Sequence, residues 1–148
     1  MDYGLIGGKL GHSYSKDIHE MLADYTYDLC PLTKEEFVPF MEQHAFRAIN
    51  VTIPYKEQVI PFLDELDRDT AKIGAVNVIK IIRQPKGKVK LVGYNSDIIG
   101  FTQSIQPLLQ PHHKKALILG TGGASKAVYH GLKNLGIESI FVSRTHKA

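Results

Sequence analysis

Tryptophan is absent from this 148-residue chain and cysteine occurs once, as Cys30. A single thiol excludes an intrachain disulfide framework. With Tyr27, Leu29 and Pro31 around it and no evident base nearby, Cys30 reads as a buried strand-end thiol rather than a nucleophile. No apolar run reaches the roughly 18 residues needed to span a bilayer, and the N-terminus has no signal-peptide pattern, so neither a membrane span nor export is expected. A reducing, cytoplasmic setting fits. A large excess of one charge is missing too: the formal net charge is +3. Lysines cluster only at 86–90 and 114–115, where solvated hairpin and linker side chains explain them better than a nucleic-acid surface. The seven histidines show no metal-ligand spacing; His12 and His19 stand apart and His112-His113 fall in a linker, so no metal site is expected. Internal repeats and low-complexity stretches are also lacking.

What is present is the composition of an α/β protein, 43% hydrophobic and 22% charged, long enough to bury a real core. Residues 3–6 read as a first strand, followed by a loop 9–15 and a helix with Ser15 as its N-cap and Ile18, Met21, Leu22 and Tyr25 on its apolar side. Residues 25–30 form a second strand. Thr33 with Glu36 makes a capping box ahead of Phe37, Phe40 and Met41, and Pro39 should kink or shorten that helix. Residues 48–52 are a third strand, and Pro54 suits the first turn of another helix. Residues 75–82 and 88–93, joined by Gln84-Pro85-Lys86-Gly87, read as an antiparallel hairpin. Asp97, Ile98, Phe101, Ile105 and Leu108 trace one face of a helix that ends near Pro107 and Pro111. The expected fold is a mixed, mostly parallel sheet with flanking helices over residues 1–105, followed over 106–148 by an incomplete Rossmann βαβ unit.

That last unit rests on a glycine loop. The apolar run 116–119 meets Gly120-Thr121-Gly122-Gly123-Ala124-Ser125, a helical pattern, and a second run at 139–142. Backbone must pass close to a pyrophosphate, and a helix N-terminus supplies free N–H groups. A plain strand–helix turn would also explain the glycines. After the second strand comes Ser143-Arg144-Thr145, where NAD-preferring folds place an acid; an arginine fork with two hydroxyls suits a 2′-phosphate, hence NADP, unless Arg144 only solvates the strand end.

Four other places could carry chemistry. Alternation puts Asn50 and Thr52 on one face of a strand, with Lys56 on the first turn of the next helix. A lysine there opposes the macrodipole, so it is either solvated or held for function. Asp97, in the first turn of its helix, could simply cap it, and Asn95 or Ser96 could do the same. Ser13 and Ser15 could bind a carboxylate, with an ordinary cap as the alternative. Asn77 opens an apolar strand and needs a partner if buried.

Taken in order, these segments resemble the shikimate dehydrogenase family. The resemblance is carried by Gly11-His12-Ser13-x-Ser15 with His19, Asn50-Val51-Thr52-x-Pro54-x-Lys56, Ala75-Val76-Asn77, Asn95-x-Asp97-x-x-Gly100-Phe101, Gly120-x-Gly122-Gly123-Ala124 and Ser143-Arg144-Thr145. It runs from Tyr3 to Thr145. It implies NADPH-dependent reduction of 3-dehydroshikimate to shikimate, in the pathway to chorismate and the aromatic amino acids. It also implies carboxylate binding by Ser13 and Ser15, ring-hydroxyl binding by Thr52, Asn77 and Asp97, and a catalytic pair of Lys56 and Asp97. Lys16 and Glu20 depart from the family's usual Pro and Asn, and Val78 and Ser96 from its usual Thr. The family continues with more of the cofactor sheet and a final helix, so the chain reads as a fragment expected to have little activity alone. A quinate/shikimate enzyme of broader specificity and a non-catalytic shikimate-binding module are the rivals. The small-molecule substrate is the expected partner; a homodimer stays open.

Overall fold

The computed structural model describes residues 1–144. A six-stranded sheet forms from β1 (Tyr3–Gly7), β2 (Asp28–Pro31), β3 (Ala48–Val51), β4 (Glu65–Leu66), β5 (Val78–Arg83) and β6 (Val89–Tyr94). Its spatial order is β2-β1-β3-β5-β6-β4. Pairings β1–β2, β1–β3 and β4–β6 are parallel, while β3–β5 and β5–β6 are antiparallel. The expected mixed, mostly parallel sheet is therefore what forms. A separate parallel pair, β7 (Lys115–Leu119) and β8 (Glu138–Val142), flanks helix α5 (Gly123–Asn134).

Strand alternation divides the first sheet into two faces. Ile6, Ile49 and Val51 point into the main core, with Phe37, Met41, Phe46, Tyr55, Val59 and Leu91. Leu5, on the opposite face, is buried with Leu10 and Tyr27. Leu5 is in register with Asn50, and that second face carries the candidate site. Helix α2 (Lys34–Gln43) seals the core face. Thr33 and Glu36 close the capping box, Phe37 and Met41 are buried, and the helix continues through Pro39 to Gln43. Phe37 stacks on Tyr55, with centroids 4.3 Å apart.

Several expectations are corrected. Helix α1 (Ser15–Leu22) begins at Ser15, so Ser15 is its first residue and not its cap; Ser13 Oγ instead accepts the Ser15 N–H at 3.2 Å. No residue of α1 is buried, and Ile18, Met21 and Leu22 face outward. Between β3 and β4 there is no α-helix. The chain takes successive turns, with a cis Ile53-Pro54 bond, and ends in a 3-10 helix, Ile60–Phe62. The Lys56 carbonyl is taken by the Val76 N–H at 2.8 Å, and Ile60 N bonds to Glu57 O instead; a tertiary backbone bond thus displaces the i→i+4 ladder. Strand β2 starts at Asp28 rather than Tyr25, and β5 at Val78 rather than Ala75. The short helix α3 (Arg68–Ile73), capped by Asp67, gave no periodic signal.

Helix α4 (Asp97–Ile105) links the two units. Its Phe101 and Ile105 pack with Ile118, Leu132 and Ile137 of the β7–α5–β8 layer. Leu108 falls in a following 3-10 turn, Gln106–Leu108, and is exposed. Among the described residues, no helix is long and apolar enough to cross a membrane.

Candidate active site

The sheet face opposite the main core opens into a cavity of about 490 Å³. Ser13, Ser15, Thr52, Lys56, Asn77 and Asp97, six residues from four stretches of the chain, all line it. The topology explains the convergence. The parallel strands β1 and β3 end side by side, with Thr52 N bonded to Ile6 O at 2.9 Å. Each strand then releases a loop on the same edge: 8–14 carries Ser13, and 52–59 carries Lys56. Alternation brings Asn50 and Thr52 to the cavity, as their spacing predicts. Asn77 arrives at the entry to β5, and Asp97 on the first turn of α4.

Lys56 Nζ donates to Asp97 Oδ2 at 2.5 Å, with side chains 13% and 33% exposed. Asn77 Nδ2 donates to Asp97 Oδ1 at 2.8 Å and to Ser96 Oγ at 2.9 Å, while its Oδ1 accepts the Ser96 N–H at 2.8 Å. Asn77 thus has the partners its burial demands. Both carboxylate oxygens of Asp97 are engaged by side chains. Neither Asp97 nor Ser96 caps α4; Asn95 Oδ1 accepts the Ile98 N–H at 3.2 Å, and its Nδ2 donates to Ala75 O at 2.8 Å. Lys56 is not a solvated lysine opposing a helix dipole. It is a half-sheltered ammonium fixed to a carboxylate and facing a cavity lined with hydroxyl and amide groups. Such an arrangement can deliver a proton to, and recover it from, an oxygen bound beside it.

Sequence reasoning left other residues of this wall without a role. Lys9, His19 and Asn50 line the cavity as well. Asn50 Oδ1 accepts the Tyr27 hydroxyl at 2.6 Å. Burial pushes the Tyr27 phenol well above the usual tyrosine range, which keeps it a neutral donor. Alternation with Thr52 places Asn50 on this face but gives it no role; nothing local signals its pairing with a tyrosine 23 residues away. Burial likewise pushes the Cys30 thiol up, in keeping with a strand-end residue rather than a nucleophile.

The glycine loop lies beyond Lys56. Gly120, Gly122, Gly123 and Ala124 connect β7 to α5, which begins at Gly123 with Gly122 extended at its N-cap. Gly120 has φ +123°, a conformation that favours glycine. A Cβ on Gly123 would stand 2.9 Å from the Lys56 Cβ, so only a glycine permits this approach. Lys126 Nζ reaches Glu57 Oε2 at 2.8 Å across the same junction. A second cavity of about 230 Å³, lined by Ile53, Pro54, Lys56, Glu57, Gly122 and Gly123, opens there. Open space beside Gly120 and Gly122 and the helix N-terminus suit the phosphates of a dinucleotide. Ser143 and the exposed Arg144 follow β8; Thr145 lies outside the described residues.

Comparison with known proteins gives a consistent result. The family described as "Shikimate dehydrogenase substrate binding domain" matches residues 5–79. A shikimate dehydrogenase (NADP(+)) of Halothermothrix orenii is 41% identical over 155 residues, covering 97% of this chain and 52% of that protein. One from Carboxydothermus hydrogenoformans is 40% identical, covering 96% and 52%. Among solved structures, shikimate dehydrogenase 1 from Peptoclostridium difficile superposes with a TM-score of 0.83 at 30% identity, covering 97% of this chain and 62% of that one. A Thermus thermophilus shikimate 5-dehydrogenase, solved with NADP(H) and shikimate, gives 0.81 at 30% identity, covering 98% and 56%. The chain spans about half the length of the curated relatives it matches.

Proposed function

The chain belongs to the shikimate dehydrogenase family, and from that premise we propose that it carries the substrate site and proton-transfer pair of an NADP-dependent shikimate dehydrogenase. The observation behind this reading is the convergence of Ser13, Ser15, Thr52, Asn77 and the Lys56–Asp97 pair on one cavity. Residues 1–105 are the substrate domain, and 106–148 belong to the cofactor domain. The single thiol, Cys30, and the NADP chemistry suit the cytoplasm.

The reaction is the reversible reduction of 3-dehydroshikimate to shikimate. Ser13 and Ser15 hold the carboxylate, and Thr52, Asn77 and Asp97 hold ring hydroxyls. NADPH, when bound, supplies the hydride. Gly120, Gly122, Gly123 and Ala124 take its phosphates, and Ser143, Arg144 and Thr145 the 2′-phosphate. As the substrate carbonyl is reduced, its oxygen takes a proton from Lys56 Nζ. Asp97 Oδ2 keeps the ammonium aimed at that oxygen, and Asn77, bonded to Oδ1, keeps Asp97 from turning. In the oxidative direction the Lys56 amine receives the proton from the hydroxyl. The names of the relatives and the NADP(H) complex support NADP over NAD.

The test is a chimera in which this chain is continued by the C-terminal half of the Halothermothrix orenii relative. It should reduce 3-dehydroshikimate with NADPH and oxidise shikimate faster than quinate. Equal rates on quinate would identify the broader enzyme. Shikimate binding with no turnover would identify a non-catalytic module and overturn the catalytic assignment.

A further inference from the structure

Helix α1 presents a physical problem. It carries Ser15 on its first turn and lines the cavity with Ser15 and His19, yet none of its residues is buried. Apolar packing, the usual anchor of a short helix, is not what holds it. The contacts that do hold it are polar and aromatic, and they converge on the segment ahead of β2. Lys16 Nζ donates to the Tyr27 carbonyl at 2.8 Å, and Glu20 Oε1 accepts the Tyr27 N–H at 3.2 Å. Lys16 and Glu20 also pair with each other at 2.7 Å, one helical turn apart. The His19 ring stacks on Tyr27 with centroids 4.0 Å apart, and its Nδ1 lies 2.5 Å from the Tyr25 hydroxyl.

We propose that Lys16 and Glu20 are positioning residues for the substrate cavity, acting as a clamp on both backbone groups of Tyr27. The proposal rests on the reading of that cavity as the shikimate site. From the clamp, two lines lead to the ligand. One runs down α1 to Ser15 and to Ser13, whose Oγ accepts the Ser15 N–H. The other runs through the Tyr27 phenol, which donates to Asn50 Oδ1 at 2.6 Å. With its oxygen taken, Asn50 offers the ligand its Nδ2, whose bond to Asn77 O is long at 3.4 Å. The ring group beside Asn50 must therefore accept a hydrogen bond. Loss of the clamp would loosen α1 and the serine hydroxyls together, and release Asn50 to turn.

The chemistry also explains why a charged pair works here. A Tyr27 backbone with both N–H and C=O to satisfy needs one acceptor and one donor. Glu20 supplies the first, Lys16 the second, and their mutual attraction keeps both in place. The contacts hold the Glu20 carboxyl below its ordinary range, chiefly through Lys16 and then through the Tyr27 N–H, and hold the Lys16 ammonium above its own, chiefly through Glu20. An asparagine at position 20 carries an acceptor and a donor in one amide, so it should replace the clamp with a neutral side chain.

The experiment is calorimetric titration of shikimate into the full chain, with amide NMR spectra of each variant without ligand. Glu20→Ala and Lys16→Ala should each weaken binding about three- to tenfold, the size of one lost hydrogen bond. The double variant should be no worse than the weaker single, because both act through one clamp. Glu20→Asn should return affinity to within about twofold of the parent. The amides of Ser13 and Ser15 should shift in Glu20→Ala and return in Glu20→Asn. Unchanged affinity in Glu20→Ala, or an Asn variant as weak as the Ala variant, overturns the clamp while leaving the shikimate site standing. No shikimate binding by the parent chain overturns the reading of the cavity, and the clamp's role in it, whatever the amide shifts do.

Discussion

The cavity on the first sheet and the glycine loop after β7 differ in how completely their surroundings answer them. Around the cavity, Asn77 bonds Asp97 and Ser96, Asp97 bonds Lys56, and Tyr27 bonds Asn50. Beyond α4 the β7–α5–β8 layer buries Ile118, Leu132 and Ile137 on one side, while Leu117, Leu119 and Ile140 on the other stay exposed. Among the described residues, the buried hydroxyls of Thr102 and Ser139, on α4 and β8, have no hydrogen-bond partner. The difference teaches that one sheet and its loops can bring a paired lysine and carboxylate and a set of hydroxyl and amide groups to one cavity, the arrangement proposed above for substrate recognition and proton transfer. We propose that dinucleotide binding draws on more surface than β7, α5 and β8 present. The two regions meet at Lys56, whose Cβ lies against Gly123.

The comparison breaks most sharply at that meeting point. In the chimera with a complete cofactor domain, Lys56→Ala should lower turnover by about 10²- to 10⁴-fold, the range for loss of a general acid–base, with a far smaller change in shikimate affinity. Steady-state rates and titration read the two effects separately, and near-normal turnover would remove Lys56 from the chemistry. The 148-residue chain alone should show little or no shikimate oxidation with NADP, since hydride transfer needs the nicotinamide held close. Substantial turnover would mean that the smaller unit is sufficient after all.

Stability changes sharpen the comparison further. Asn77→Ala strands Asp97 Oδ1 and the Ser96 N–H, and should cost about 1–3 kcal/mol in urea unfolding, together with shikimate affinity. Gly123→Ala drives a methyl against the Lys56 Cβ and should cost about 1–3 kcal/mol as overpacking. Lys126→Ala breaks only an exposed pair with Glu57 and should cost less than about 1 kcal/mol. The β7–α5–β8 unit should also have its own pH response. Burial, then Lys133 and Lys72, holds the His130 imidazole below its ordinary value. A depressed histidine contributes stability above its unfolded pKa of about 6.5 and loses it progressively as pH falls from that point through its lower folded value. A mild loss of stability on acidification below that point, removed in His130→Gln, would verify the sign.

Much of this was legible locally, for physical reasons that particular residues make clear. The capping box at Thr33 and Glu36 and the alternation that puts Asn50 beside Thr52 are short-range rules, and they hold. The convergence of Lys56 on Asp97 is a contact over 41 residues that only the ordered resemblance could suggest. Where local rules failed, a tertiary bond had displaced them. The Val76 N–H captures the Lys56 carbonyl, so the expected helix after Pro54 gives way to turns. Helix α1 shows the opposite failure: its spacing of Ile18, Met21 and Leu22 is helical, but polar bonds to Tyr27 hold it and the apolar side stays outside. Lys16 and Glu20 stand at the i,i+4 spacing of a helical ion pair, a signal present in the sequence whose target on Tyr27 is not.

The central claim is the proposal that the residues converging on the cavity bind shikimate within this chain, while the glycine loop and its two strands bind NADP poorly on their own. Titration of the isotopically labelled chain with shikimate and then with NADP, followed by amide NMR, tests it most directly. Shikimate should saturate with one-to-one stoichiometry, moving the amides of Ser13, Ser15, Thr52, Asn77 and Asp97, with Asp97→Ala much weaker; NADP should bind poorly, confined to the loop around Gly122. Tight NADP binding with no response to shikimate would contradict the account.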